Sequence, residues 1–328
     1  MKKLLFFTII LIGCNLNGPD NISLGDLESS KIEGLTLTID NFPKIQSSTS
    51  TDPLRRIIAL KLFGIPYEWA PSHANLLYIE PKLSSTDIER FNTLFGMPDT
   101  HGAFVDLISG DADLILTARK SSADERRQAQ AAGLSFIETP IALDALVFIV
   151  NQFNPVVSLT HRQIQDIYSL RITDWRQLWQ EDSSDINWEP LIKPYIRNPN
   201  SGSQELFESL VLPGFNSANL PVSWDELIVF TMSGAFDAVL YDWDAISYTV
   251  YYYKEYMVTG VNVKSVPVNT IMPNRNTIAN RAYPYTAEVY AVIRSDLEET
   301  SPAYMLYQWL QTEEGQKVIA ESGYVPYY

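Results

Sequence analysis

An α/β fold is what the 328-residue sequence predicts. Short, continuously apolar runs such as Leu114-Ile115-Leu116 and Ala145-Leu146-Val147-Phe148-Ile149-Val150 alternate with segments that carry helix caps and helical apolar spacing. No stretch strings together the many short alternating strands of a β-sandwich. With 46% hydrophobic and 12% aromatic residues the chain can bury a large core, which excludes a disordered chain. Its length suits one or two domains, and no internal repeat is visible.

Taken in order, residues 35–39 read as a strand. Residues 53–63 read as a helix with proline in its first turn, a position that needs no N–H donor. Helices are expected over 86–94 and 102–108, and the apolar run 112–117 has the character of a buried parallel strand. A helix over 123–132 ends at Gly133, and 145–150 is a second buried strand. Residues 160–168 open with a capping box, Thr160 reaching forward and Gln163 reaching back. The later part predicts a strand at 192–196, helices at 204–211 and 224–230, and strands at 245–248 and 290–294. Helices at 303–311 and 313–321 close the chain. The tyrosines at 248, 251, 252, 253 and 256 sit at helical spacings that suit half-buried packing better than a sugar-stacking platform.

At the start, Lys2 and Lys3 precede an apolar run over residues 4–13, half the length of a membrane-spanning helix. That pattern describes an export signal. Leu11-Ile12-Gly13-Cys14 resembles the lipobox of bacterial lipoproteins, with Cys14 as the lipidated residue. Cys14 is the only cysteine, so no disulfide forms within the chain. Residues 15–32 are polar, contain Gly and Pro, and read as a tether between lipid and domain. The expected protein is exported and lipid-anchored to the cell envelope.

Net charge is −15, from 39 acidic and 24 basic residues, which disfavours nucleic acid as a partner. It also repels small anions at long range, so an anion site on this chain must work through local donors. His73, His101 and His161 lack ligand spacing, so no metal and no other cofactor is expected.

Local donors are concentrated in a few segments. Arg197-Asn198-Pro199-Asn200-Ser201-Gly202-Ser203 leads directly into an apolar helix. A helix start has unpaired N–H groups and the positive end of the helix dipole. Ser201 and Ser203 add hydroxyls, Gly202 admits close backbone approach, and Arg197 presents a planar fork of donors. Together they suit a tetrahedral or carboxylate anion, although Ser-Gly-Ser alone also describes a capped surface helix. The hydroxyl cluster at 46–52, with Ser48 and Thr49, and the helix entry Thr100-His101-Gly102-Ala103 repeat the chemistry. The loop Thr117-Ala118-Arg119-Lys120 adds cations. Hydrogen bonds to a charged group contribute roughly 1.5–3 kcal/mol each, so a net of four or five supports micromolar binding, about −8 kcal/mol.

These segments, with Asp144 to Asn151, Asn154-Pro155-Val156, Ile172-Thr173-Asp174-Trp175, Ala245-Ile246-Ser247-Tyr248, Tyr283-Pro284 and the closing Glu314-Gly315-Gln316 through Gly323-Tyr324-Val325-Pro326, occur in one order along the chain. In that order and spacing the sequence resembles the phosphate-type solute-binding lipoproteins of bacterial ABC importers. The resemblance implies a type II periplasmic-binding-protein fold: two lobes, each a mixed sheet flanked by helices, with the ligand in the cleft between them. It implies a discontinuous first lobe (33–151 and 246–328) and a second lobe of 152–245. Ser48, Thr49, Thr100, Gly102 and Arg119 would bind the ligand from the first lobe, and Arg197, Ser201, Gly202 and Ser203 from the second. The implied partners are a small oxyanion, phosphate foremost, and a membrane permease; the protein is expected to be a monomer. One departure stands out. Phosphate binders of this type place an aspartate in the loop after the buried strand, where it accepts the phosphate proton. Here that loop holds Arg119 and no carboxylate.

Two rival classes remain. A surface lipoprotein could keep the fold for sensing or adhesion without transport, since fold does not fix function. An exported hydrolase using Ser201 or Ser203 would need a histidine base held against the serine, and only His161 lies in the same expected lobe. No catalytic role is expected.

Overall fold

The structure, a computed structural model, describes residues 24, 30–32, 35–72, 75–178, 191–213 and 226–328. The expected export signal, Cys14, nearly all of the tether, His73 and Trp224 lie outside the described residues. In chain order, β1 (Ser30–Ile32) and β2 (Leu35–Leu37) form a short ribbon, and β3 (Ile45–Ser47) leads through a 3-10 turn into α1 (Asp52–Leu62). Next come the hairpin β4 (Tyr67–Pro71) and β5 (Leu77–Pro81), α2 (Ser85–Asn92), α3 (Thr100–Ser109), β6 (Leu114–Thr117) and α4 (Ala123–Ala131). The central strand β7 (Phe136–Asn151) is followed by α5 (His161–Tyr168), β8 (Lys193–Pro194), β9 (Ile196–Arg197) and α6 (Gly202–Leu210). After β10 (Ile228–Val229), α7 (Met232–Tyr241), β11 (Ala245–Val250) and β12 (Val263–Val266), the chain closes with α8 (Arg275–Ala279), β13 (Thr286–Arg294), α9 (Pro302–Trp309), α10 (Glu313–Glu321) and β14 (Val325–Pro326).

Strand β7 organises the sheet, whose order is β3-β6-β13-β7-β11-β8 with β12 and β14 also pairing to β7. Its first part, Phe136 to Ala145, pairs with β13, and its last part, Leu146 to Val150, pairs with β11. All four partners of β7 run antiparallel to it. Ten successive residues from Ile141 to Val150 are buried, so the unbroken apolar run reports cover on both faces of the strand. β6 is parallel to β3 but antiparallel to β13, which makes the sheet mixed. Sequence reading found only residues 145–150 of β7. The earlier part contains Pro140, which cannot donate to a ladder; the register shifts beside it, between Val289 and Tyr290 of β13, and the irregularity accommodates it.

Local signals fixed several helices as expected. Thr160 and Gln163 form the full capping box of α5, and α10 spans the expected residues. Other elements answer to distant partners. Residues 228–229, expected in a helix, instead form β10, which pairs in parallel with β9 more than thirty residues earlier. The helix of that region is α7, which starts three residues later with Thr231 as its cap. The expected strand at 192–196 is divided into β8 and β9.

The tyrosine run is packing. Tyr248, Tyr252 and Tyr253 are buried, Tyr248 stacks on Phe207 at 4.6 Å, and Tyr252 stacks on Tyr324 at 3.8 Å. Phe148 of β7 touches the rings of Tyr168, Phe207, Tyr248 and Tyr285, so one strand residue joins α5, α6 and β11.

Asp144 lies where β7 changes partners. Its Oδ1 accepts the N–H groups of Ala145 (2.8 Å) and Tyr252 (3.0 Å), while Oδ2 is buried without a partner among the described residues. Burial pushes its carboxyl up to about 7, against the pull of those two N–H groups. The folded state therefore holds a proton that the unfolded chain releases at lower pH, and this group withdraws stability as pH rises from about 4 to 7. Asp144→Asn keeps the oxygen acceptor and cannot ionise. Melting temperatures of the two proteins are expected to agree best near pH 4 and to diverge by pH 8 in favour of the variant.

Candidate functional site

Three helix entries converge at one point. Ser48, at the end of β3, has a buried hydroxyl that accepts the Ala118 N–H (3.1 Å) and the Thr100 hydroxyl (2.9 Å). Thr100 begins α3, and a Cβ added to Gly202 would lie 2.8 Å from its Oγ1. The starts of α3 and α6 thus touch, and only a glycine fits at that contact. Ser201 caps α6 by accepting the Gln204 N–H (3.2 Å). Between these entries is a cavity of about 30 Å³, the size of a small ion.

Arg197 forms one wall of the cavity and is almost fully buried. Its Nε donates to the Val229 carbonyl (3.1 Å), one terminal nitrogen to Ser203 Oγ (3.2 Å), and the other to the Phe230 carbonyl (3.4 Å). Its backbone N–H is held by Tyr248 Oη and Gln204 Oε1, both at 3.1 Å. Two of the side-chain acceptors belong to β10 or its end, so the pairing of Val229 with Arg197 sets the fork's direction. No carboxylate pairs with this guanidinium among the described residues. Burial lowers its pKa from the usual arginine range, with Tyr248, Tyr253 and Asp99 acting in the opposite direction. Arginine nonetheless stays charged, so a buried, uncompensated cation faces the cavity.

The other two buried arginines are different. Arg55 pairs with Asp52 and donates to the carbonyls of Ile45 and Gly96. Arg119, expected at the ligand, does not line the cavity. Its fork holds Glu125 through two bonds of 2.7 and 2.9 Å, and its face lies over the Phe104 ring. Burial alone would raise the Glu125 carboxyl; Arg119, the Ser122 N–H and His101 outweigh it and hold the group below the usual glutamate range. The cation of the 117–120 loop is thus neutralised within its own half, and Ala118 is the loop residue at the cavity.

Residues 99–311 match a family model described as a PBP superfamily domain. The chain belongs to the PBP superfamily. Among PBP relatives, protein SphX of Synechococcus elongatus is 29% identical over 128 residues, 38% of this chain and 36% of that protein. The match therefore spans little more than a third of SphX. The phosphate-binding protein PstS of Staphylococcus epidermidis is 21% identical over 260 residues, 79% of this chain and 72% of that one. A solved substrate-binding protein from Clostridium perfringens, assigned to phosphate ABC transport and holding phosphate, superposes with a TM-score of 0.60 at 22% identity, covering 88% of this chain and 100% of its own. An ABC-type phosphate transport receptor from Vibrio cholerae gives 0.54 at 22% identity, with 86% and 98% covered. At these identities the structures attest the fold.

Within this PBP frame, Ser48, Thr49 and Thr100 from one half and Arg197, Ser201, Gly202 and Ser203 from the other line the same cavity. Gly102 stands behind them: its N–H donates to Asp99 Oδ2 at 2.6 Å. Ser50 and Ala118, in segments singled out from the sequence but not themselves named as ligand-binding, also line it, as do Asp99, Met232 and Val250, which carried no signal in the sequence. Met232 belongs to the unforeseen α7.

The two arginines should separate in experiment. Arg119→Ala takes the guanidinium from buried Glu125 and leaves it only His101 and the Ser122 N–H, and truncating one partner of a buried pair costs about 3–5 kcal/mol. Thermal melting should show that loss. Gly202→Ala, by contrast, should leave the melting temperature of the free protein nearly unchanged. It should weaken oxyanion affinity by about tenfold or more, as titration would show, because the added methyl parts the two helix starts.

Proposed function

We propose that this protein is an exported binding protein that captures a small oxyanion, inorganic phosphate, between two lobes and delivers it to an ABC permease. The observation that carries the reading is Arg197: a buried guanidinium without a carboxylate, aimed at a small cavity where hydroxyls and helix starts converge. An anion there removes the cost of the buried charge and accepts bonds from Ser48, Thr49, Thr100, Ser201 and Ser203. The name of the PstS relatives and the phosphate held by the Clostridium perfringens protein support phosphate as the ligand.

The lobes follow the strand pairing. The first comprises the sheet around β13 and β6, and the second the sheet around β11 and β8. They share β7, whose partners change from β13 to β11 and β12 near Asp144 to Leu146, short of the expected crossing at Asn151. Cys14 carries the lipid that anchors the monomer to the envelope, with residues 15–32 as its tether. No described helix is long and apolar enough to cross a membrane, so the anchor is the membrane contact. A hydrolase is not supported. His161 Nδ1 bonds Tyr285 Oη at 2.6 Å and His101 Nδ1 meets Glu125 at 3.1 Å, and neither Ser201 nor Ser203 is bonded to a described histidine.

Titration of the protein without its lipid, using phosphate, arsenate and sulfate, tests the reading. Phosphate should bind and raise the melting temperature. Arg197→Ala should weaken it by about 100-fold or more, the effect of removing a charged bond together with the cation. Absence of binding by every oxyanion, or undiminished binding by the variant, would overturn it.

A further inference from the structure

We propose that Tyr248 is a positioning residue of the oxyanion site: its hydroxyl, together with Gln204, holds the backbone of Arg197 so that the guanidinium stays aimed at the cavity. The inference rests on the oxyanion reading given above and extends it to a side chain that does not line the cavity.

The need for such a hold comes from the path of the chain. β8 runs beside β11, and the Tyr195 N–H still reaches the Ile246 carbonyl (2.9 Å). From the next residue the chain has left β11 for β10: Ile196 and Arg197 pair with Ile228 and Val229, and the Asn198 N–H meets the Val229 carbonyl (3.3 Å). Successive peptide groups of a strand point to opposite edges, so the Arg197 N–H faces away from β10. Among the described residues no strand lies on that edge of β9. Two almost fully buried side chains meet the N–H instead, Tyr248 Oη and Gln204 Oε1, both at 3.1 Å. The hydroxyl also donates to Gln204 Oε1, and Gln204 Nε2 donates to Glu208 Oε1 (2.9 Å). Burial pushes the Tyr248 phenol above its ordinary range, so the hydroxyl keeps the proton it gives.

Tyr248 Oη thus ties together three elements that each bring a residue to the cavity: β9 with Arg197, α6 with Ser203, and β11 with Val250. The fork of Arg197 reaches acceptors on β10 and α6, so β9 must keep its place against both. Binding groups need placement to about 0.5 Å, which packing and a second layer of hydrogen bonds provide.

Tyr248→Phe keeps the ring that stacks on Phe207 and removes only the hydroxyl. Arg197→Ala keeps the N–H that Tyr248 holds and removes the guanidinium that it would aim. Calorimetric titration with phosphate of wild type, each single variant and the double variant therefore separates aiming from general support. Tyr248→Phe should weaken phosphate binding by about tenfold in the wild-type background, the size of one hydrogen bond to a charged group, and by less than about twofold when Arg197 is already alanine. Gln204→Met removes the other acceptor and leaves Tyr248. It should show the same dependence on Arg197, and it decides the matter if Tyr248→Phe does not fold. An equal loss in both backgrounds, or no loss in either, overturns the positioning role while the oxyanion site stands. If wild type binds no phosphate, or Arg197→Ala binds it as tightly, the site falls and the role of Tyr248 with it.

Discussion

The cost of holding a guanidinium out of water with no acid to neutralise it governs this molecule. Arg55 and Arg119 show how the fold ordinarily meets that cost, each with a carboxylate in direct contact. Arg197 is nearly as buried and receives two peptide carbonyls and one hydroxyl. Those neutral acceptors satisfy its N–H groups but leave its charge. The surroundings are arranged to keep the fork there all the same: Tyr248 and Gln204 fix its backbone, β10 fixes its side chain, and α6 starts beside it. So much structure around one unbalanced charge makes sense if the counter-charge comes from outside.

Strand β7 explains how a counter-ion could enter so closed a site. The two halves of the sheet are joined through this strand, which exchanges β13 for β11 and β12 near Ala145 and Leu146. A junction of that kind suits the hinge motion by which two-lobed proteins close on ligands. Asp144, at the exchange, accepts the N–H of Tyr252, just after β11. Contacts across the cavity are small and polar, Gly202 against Thr100 and Asn200 against Arg119 at 3.4 Å. An anion that bonds to both halves adds to the closed state alone.

How legible was this in the sequence? Features written in neighbouring residues were plain: the capping box of Thr160 and Gln163, the extent of α10, and the serine–glycine entry of α6. Four separate polar segments were brought to one cavity by the family resemblance of their order along the chain; each by itself was only a donor-rich helix entry or loop. What stayed hidden depends on residues far apart. β10 could not be read from 228–229, since its partner is β9, and the first half of β7 was masked by Pro140. Arg119 was misjudged: a cation in the expected loop looked available until Glu125 was seen to hold it. Asp99 drew no reading, since its place beside the cavity depends on residues far along the chain.

The charge of the whole chain sharpens the same argument. At −15 the surface opposes the approach of any anion, and long-range attraction cannot concentrate phosphate at the cleft. Affinity must then arise at short range, where water is excluded and each N–H or O–H bond to a charged oxygen gains strength. That condition explains why the donors sit on helix starts and a strand end rather than on exposed lysines. With neutral hydroxyl side chains and a guanidinium lining one cavity, an anion there would be held by short-range donors alone, whatever the charge of the surface around it.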